Sequence, residues 1–250
     1  MIALAIILFF AGPVIGALAA RLSYAWPDAD GRHQDADQCQ NCGASYRWFE
    51  VLPAVSSVMH QGRCPRCGAQ ARTLHVVAEG LGLFVPVTAW LFAPEGIFIL
   101  SCLIGWTLLA LAITDWRVFI LPDAMNAVLV VLGAAFIVLH ARDDWLHHLA
   151  GGLAGFLILF SVEVAYKALR GQDGLGRGDA KLLGGLGLWL GWTRLPEVLL
   201  FASAFGLTFA LLSGRSRTEG EPGQTPLAFG PWLALGAWTS WLAGPLLVSS

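Results

Sequence analysis

The chain alternates long apolar runs with short polar connections. Eight stretches are apolar enough to read as membrane helices: roughly 1–20, 74–93, 96–114, 124–141, 146–167, 180–193, 196–213 and 227–247. A helix needs about 20 mostly apolar residues to cross a bilayer; the sixth stretch is short and glycine-rich, so its limits are the least sharply drawn. The runs are continuous rather than alternating, which argues against a β-barrel. The pattern predicts an all-α fold, a polytopic membrane bundle of about eight transmembrane helices with one small polar domain, which the charges and cysteines below make a cytoplasmic zinc-knuckle domain. Three segments follow: 1–20 as the first transmembrane helix, 21–73 as a four-cysteine cytoplasmic loop, and 74–250 as a seven-helix membrane domain. No basic n-region precedes the first run and Arg21 follows it. It therefore reads as an uncleaved span rather than a signal peptide.

Composition supports a lipid environment. Of 250 residues, 56% are hydrophobic and 13% charged, against about a quarter charged in soluble domains. Eleven Trp and 29 Gly suit membrane interfaces and close helix packing. No basic stripe is long enough to follow a phosphate backbone, so nucleic acid is not an expected partner.

Charge sets the orientation. Thirteen of the 15 Lys and Arg fall in one alternate set of connections, the segments 21–73, 115–123, 167–181 and 214–226. Only Arg142 and Arg194 fall in the other set. The positive-inside rule makes the first set cytoplasmic and puts both termini outside.

The polar segment 21–73 holds two knuckles, Cys39-Gln40-Asn41-Cys42 and Cys64-Pro65-Arg66-Cys67, each followed by a glycine, with 21 residues between the pairs. Two such knuckles can form a tetrahedral thiolate cage for Zn²⁺. Two disulfides are the alternative, but a cytoplasmic loop is a reducing setting. Four protein ligands leave no open position, so the zinc role expected of Cys39, Cys42, Cys64 and Cys67 is structural. Cys102 stands alone within an apolar run and reads as a core residue. The six histidines have no ligand spacing and read as surface or interfacial residues.

Ionisable groups near a membrane core are costly and point to function by default. Asp115 ends the third run and Asp179 begins the sixth. The predicted topology puts both at the cytoplasmic edge. Two carboxylates close together share a proton, because like charges do not both ionise readily. The ionised member can take a proton from water while the protonated one polarises a carbonyl, which is the chemistry of peptide hydrolysis. The bland alternatives are a helix cap for Asp179 and a headgroup-hydrated Asp115. Gly176 and Gly178 favour chemistry, since glycine lets another chain approach closely.

Gly176-Arg177-Gly178-Asp179 resembles the G-x-G-D segment of intramembrane aspartic peptidases, and its surroundings resemble those of bacterial prepilin peptidases. Asp115 is followed by Leu121-Pro122-Asp123, similar to that family's D-x(5)-[LI]-[LI]-P-D segment. Lys181 completes a G-D-x-K. The paired knuckles precede these, and Pro226-Leu227-Ala228-Phe229-Gly230-Pro231 resembles a late family element. The resemblance implies cleavage of the basic leader of pilin-like precursors at the cytoplasmic face of the bacterial inner membrane, with Asp115 and Asp179 catalytic. It implies supporting places for Gly176, Gly178, Lys181, Asp123 and Glu79, and zinc on the four cysteines. Many members then methylate the new amino terminus using S-adenosylmethionine. Here Gly16-Ala17-Leu18-Ala19-Ala20-Arg21-Leu22 and Trp48-Phe49-Glu50-Val51-Leu52-Pro53 depart from the family's polar amino-terminal pattern, so the likeness carries the peptidase further than the methyl transfer. Glu163 is expected to be a helix-packing contact. Glu50, Asp28, Asp30, Asp35 and Asp37 are the acids available to a basic leader. A proton-coupled transporter, or a zinc-binding adaptor without catalysis, is the rival reading. Neither explains G-x-G-D.

Overall fold

A computed structural model describes residues 2–27, 31, 35, 38–39, 41–45, 63–64, 66–69, 73–93, 96–171, 176–213 and 228–244. Glu50, Asp28, Asp30, Asp37 and the segments 46–53 and 226–227, all singled out above, lie outside the described residues. Every extended element among the described residues is helical. A backbone in lipid must satisfy its own hydrogen bonds, and a helix does so within one segment.

The chain forms two compact units, Met1–Val118 and Phe119–Ser250. The first contains α1 (Ile2–Ser23), α2 (Thr73–Phe92) and α3 (Phe98–Val118). Small residues bring α1 and α2 into backbone contact. A Cβ on Gly12 would stand 2.6 Å from the Gly82 carbonyl oxygen, and one on Gly16 would collide with the carbonyl of Ala78. Pro86 lies inside α2 and has no N–H to give the carbonyl four residues earlier. That carbonyl belongs to Gly82, and the Trp106 indole of α3 donates to it at 2.9 Å. A defect in one helix is thus closed by its neighbour. Cys102 is fully buried in α3, as its place in the sequence predicts.

The second unit contains α4 (Asp123–His140), α5 (Trp145–Arg170), α6 (Arg177–Leu190), a 3₁₀ turn (Trp192–Arg194), α7 (Leu195–Leu212) and α8 (Gly230–Ala243). At its centre is α6. Leu182, Leu183, Leu186 and Trp189 are fully enclosed. Gly151 and Gly155 of α5 meet Gly187 and Leu183 of α6 backbone to backbone, leaving no room for a Cβ. The helix ends at Gly191, whose φ of 81° an L-residue rarely adopts.

These eight helices occupy the eight stretches read from the sequence. Among the described residues, six segments are long and apolar enough to cross a membrane: α1 to α5, and α7 together with its preceding 3₁₀ turn. By contrast α6 has 14 residues between Gly176 and Gly191, about 21 Å at 1.5 Å per residue. That is short of a hydrocarbon core of about 30 Å. Its apolar surface faces other helices, so its composition resembles a span while its length does not.

Two histidines differ from expectation. His75 and His148 are buried, at 6% and 9% exposure. His75 stacks on Tyr24, with ring centroids 5.8 Å apart and planes 2° from parallel. The Nδ1 of His148 lies 3.1 Å from the Leu188 carbonyl oxygen. Each ring has found an aromatic or polar partner inside its unit, which offsets the cost of burial.

Candidate metal centre and carboxylate sites

The two knuckles fold alike, because each reads Cys-x-x-Cys-Gly-Ala. In the first, Gly43 N–H donates to the Cys39 carbonyl at 2.8 Å, and Cys39 N–H to that of Ala44 at 3.0 Å. In the second, Gly68 donates to Cys64 at 2.9 Å, and Cys64 to Ala69 at 2.7 Å. Both glycines take a positive φ, 68° and 70°. Arg66 Nη1 donates to the Ser45 carbonyl at 2.7 Å, joining one knuckle to the other.

None of the four cysteines is in a disulfide, and their sulfurs lie within 4.8 Å of one another. Cys39 Sγ and Cys67 Sγ are 3.6 Å apart, far beyond a disulfide bond of about 2.05 Å. A tetrahedron with Zn–S bonds of about 2.3 Å has sulfur–sulfur edges of roughly 3.8 Å. The four residues therefore form a cluster that could hold a metal ion.

The thiols differ in their hold on protons. The Ala44 backbone hydrogen bond pulls Cys42 down, but desolvation and hydrogen bonds with Cys67, Cys39 and Cys64 outweigh it and push this thiol up to about 11. Desolvation raises Cys64, yet backbone hydrogen bonds from Arg66 and Cys67 prevail and leave it below its ordinary value. Binding of a metal ion by these thiols would displace their protons.

Asp115 lies in the last turn of α3 and is 6% exposed. Two residues on, Arg117 fixes that end of the helix. Its Nη1 donates to the carbonyls of Ser23 at 2.5 Å and Trp26 at 3.3 Å, and its guanidinium carbon lies 3.8 Å from the Tyr24 ring centroid. Since Tyr24 also stacks on His75, the carboxy-terminal ends of α1 and α3 meet the amino-terminal end of α2. Glu79, one turn beyond His75 on α2, is buried too.

Asp179 lies in the first turn of α6 and is 8% exposed. Its N–H donates to the Gly176 carbonyl at 3.0 Å. A Cβ on Gly176 would stand 3.4 Å from the Asp179 carboxylate. Gly178 is pressed against Leu121, where a Cβ would come within 2.8 Å of the leucine Cβ. Lys181 donates to Asp123 Oδ1 at 2.6 Å, joining the first turns of α6 and α4. Leu121-Pro122-Asp123 and G-x-G-D-x-K, 53 positions apart from Asp123 to Gly176, thus form one local structure.

Two residues here escaped the sequence reading. Asn126 Nδ2 donates to the carbonyls of Leu121 and Pro122, both at 3.4 Å, and closes the turn before α4. Glu163 is no mere packing contact: its Oε1 accepts from Arg177 Nε at 3.0 Å. An acid inside an otherwise apolar helix, and an arginine between two glycines, were the signals available for that pair.

The sequence profile of the type IV leader peptidase family matches residues 102–211, spanning Asp115 through Asp179. That of the bacterial peptidase A24 N-terminal domain matches residues 10–93, spanning the four cysteines. A prepilin leader peptidase/N-methyltransferase of Aeromonas salmonicida is 34% identical over 207 residues, 82% of this chain and 70% of the relative. That of Dickeya chrysanthemi is 34% identical over 228 residues, 91% and 77% of the two chains. That of Pseudomonas putida is 32% identical over 219 residues, 86% and 74%. No solved structure matches the chain. On the extent and identity of these likenesses, the chain belongs to the type IV leader peptidase family.

Proposed function

We propose that the chain is an intramembrane aspartic endopeptidase of the bacterial inner membrane. It removes the basic leader of prepilin-like precursors at the cytoplasmic face, with Asp115 and Asp179 as the catalytic pair. The observation that carries this reading is that two aspartates in a leader peptidase chain are buried, each at a helix terminus and beside a purpose-built anchor. In the proposed reaction one carboxylate is ionised and draws a proton from water as the water adds to the scissile carbonyl. The other is protonated, hydrogen-bonds that carbonyl and then supplies the proton to the leaving amine. Gly176 and Gly178 let the extended substrate approach, and Asp123, Lys181 and Glu79 support the helix ends.

The proposed architecture has eight spans, with α6 and α8 enclosed among the longer ones and both termini outside. Segment 1–20 is the first span, 21–73 the cytoplasmic loop and 74–250 the peptidase domain. Cys39, Cys42, Cys64 and Cys67 hold a structural Zn²⁺, which cross-links the loop and takes no part in the chemistry. A second activity, methylation of the new amino terminus from S-adenosylmethionine, is favoured by the relatives, each a prepilin leader peptidase/N-methyltransferase.

The test is cleavage of a co-expressed prepilin-like substrate by the intact protein and by Asp115→Asn and Asp179→Asn, at matched membrane abundance. Loss of cleavage in both variants is expected. Cleavage retained by either one overturns the pair. The mass of the mature substrate's amino terminus reads methylation in the same experiment.

A further inference from the structure

Between Gly176 and Gly178, Arg177 bears the only side chain. Glycine allows the backbone more conformations than any other residue, so a turn that must hold Asp179 in one place is built from the least constrained chain available. Among the described residues, three side-chain contacts restrain it. Gly178 rests on Leu121, Lys181 reaches Asp123, and Arg177 reaches Glu163. The second of these is solvent-exposed at both ends, with side chains 43% and 77% accessible, and such pairs hold weakly.

The third differs in kind. The Glu163 side chain is 7% accessible and sits on α5, the 26-residue helix packed backbone to backbone against α6. Its Oε1 accepts from Arg177 Nε at 3.0 Å, while its Oε2 is buried with no hydrogen-bond partner among the described residues. An acid in an apolar helix is costly to keep, and this one accepts its hydrogen bond from the residue two before Asp179. The Arg177 side chain is itself 72% accessible, so the pair does not serve to bury an arginine.

We propose that Glu163 and Arg177 are a positioning pair that fixes the glycine-flanked turn, so that Glu163 governs turnover through Asp179 without touching substrate. The inference rests on the reading of Asp179 as catalytic. Misplacing a reacting group by about 1 Å can cost on the order of a hundredfold in rate.

The experiment is steady-state cleavage of a purified prepilin-like substrate in proteoliposomes by the intact protein, Glu163→Gln, Glu163→Leu, Arg177→Gln, the Glu163→Leu/Arg177→Gln double variant and Asp179→Asn. Glu163→Leu and Arg177→Gln are each expected to lower kcat by about tenfold or more with KM within about twofold. The double variant should be no slower than the worse single one, since contacting residues that act as one unit are not additive. Glu163→Gln, which keeps an acceptor but not the charge, should fall between. The limbs of the pH–rate profile should shift in Arg177→Gln, whereas a lower fraction of folded enzyme would scale activity equally at every pH. Because Arg177 is exposed, that variant remains informative even if the Glu163 variants fail to accumulate. Independent, additive losses, or a folded Arg177→Gln with kcat within twofold of the intact protein, overturn the pair. Cleavage retained by Asp179→Asn overturns the catalytic reading beneath it instead.

Discussion

The two units hold their aspartates by opposite means. In the first, Asp115 sits at the end of a 21-residue helix that is rigid before any side chain acts. Arg117, two positions after it, completes the hold on backbone carbonyls and an aromatic face. In the second, Asp179 sits at the start of a helix, after a glycine-rich entry. Arg177, two positions before it, holds a carboxylate, and Lys181, two after it, holds another. A finished helix end needs only dipolar partners. An entry that must stay open to an extended chain uses glycine and then regains order from charges.

Several substitutions sharpen that contrast. The largest effect is expected from Asp115→Asn and Asp179→Asn, each lowering cleavage by about a thousandfold or more, as loss of a general acid or base does; a substrate cleavage assay reads it. Next is the metal cluster. Cys39→Ser or Cys64→Ser should take bound zinc from one per chain toward none by elemental analysis, and should expose segment 21–73 to proteolysis before α4–α8 are affected. Zinc occupancy should also fall as pH falls, because Cys42, pushed up to about 11, must give up its proton to bind.

Trp106→Phe removes the donor to Gly82 and leaves a buried carbonyl unpaired, so a loss of about 1–3 kcal/mol is expected. Thermal unfolding in detergent measures it, and an unchanged melting temperature would dismiss the repair at Pro86. The smallest effect belongs to Lys181→Met, an exposed ion pair worth about 0–1 kcal/mol. Its loss should be mimicked in the intact protein by high salt, while contacts of Arg117 with neutral partners should be largely salt-insensitive.

Much of this was legible in one dimension. The apolar runs located the helices because lipid leaves the backbone few alternatives. Cys-x-x-Cys-Gly located the knuckles because its turn is local. What escaped was non-local. Glu163 and Arg177 are separated by 14 positions, across a helix end, and no periodicity announces their meeting. The short α6 carries a span's composition because enclosure by protein and enclosure by lipid select the same residues. A proline inside a helix orphans a carbonyl by local geometry alone, whereas the service of Gly82 by Trp106 depends on a residue 24 positions away. His75 and His148 were misjudged because burial of a histidine depends on the partner it finds, and those partners, Tyr24 and the Leu188 carbonyl, lie 51 and 40 positions away.

The contact of α5 with α6 has a mechanical consequence. Where Gly151 meets Gly187 and Gly155 meets Leu183, there is no layer of side chains to slip or change rotamer. Side chains act as a lubricant between helices, and two backbones without them move together or separate outright. Sliding of α6 along α5 is therefore resisted by backbone contact at these points, on the same pair of helices that carries Glu163 and Asp179. The seam between α4 and α6 is of the other kind, with the side chains of Leu129 and Leu188 lying against Gly185 and Gly133, so it has rotamers with which to give way.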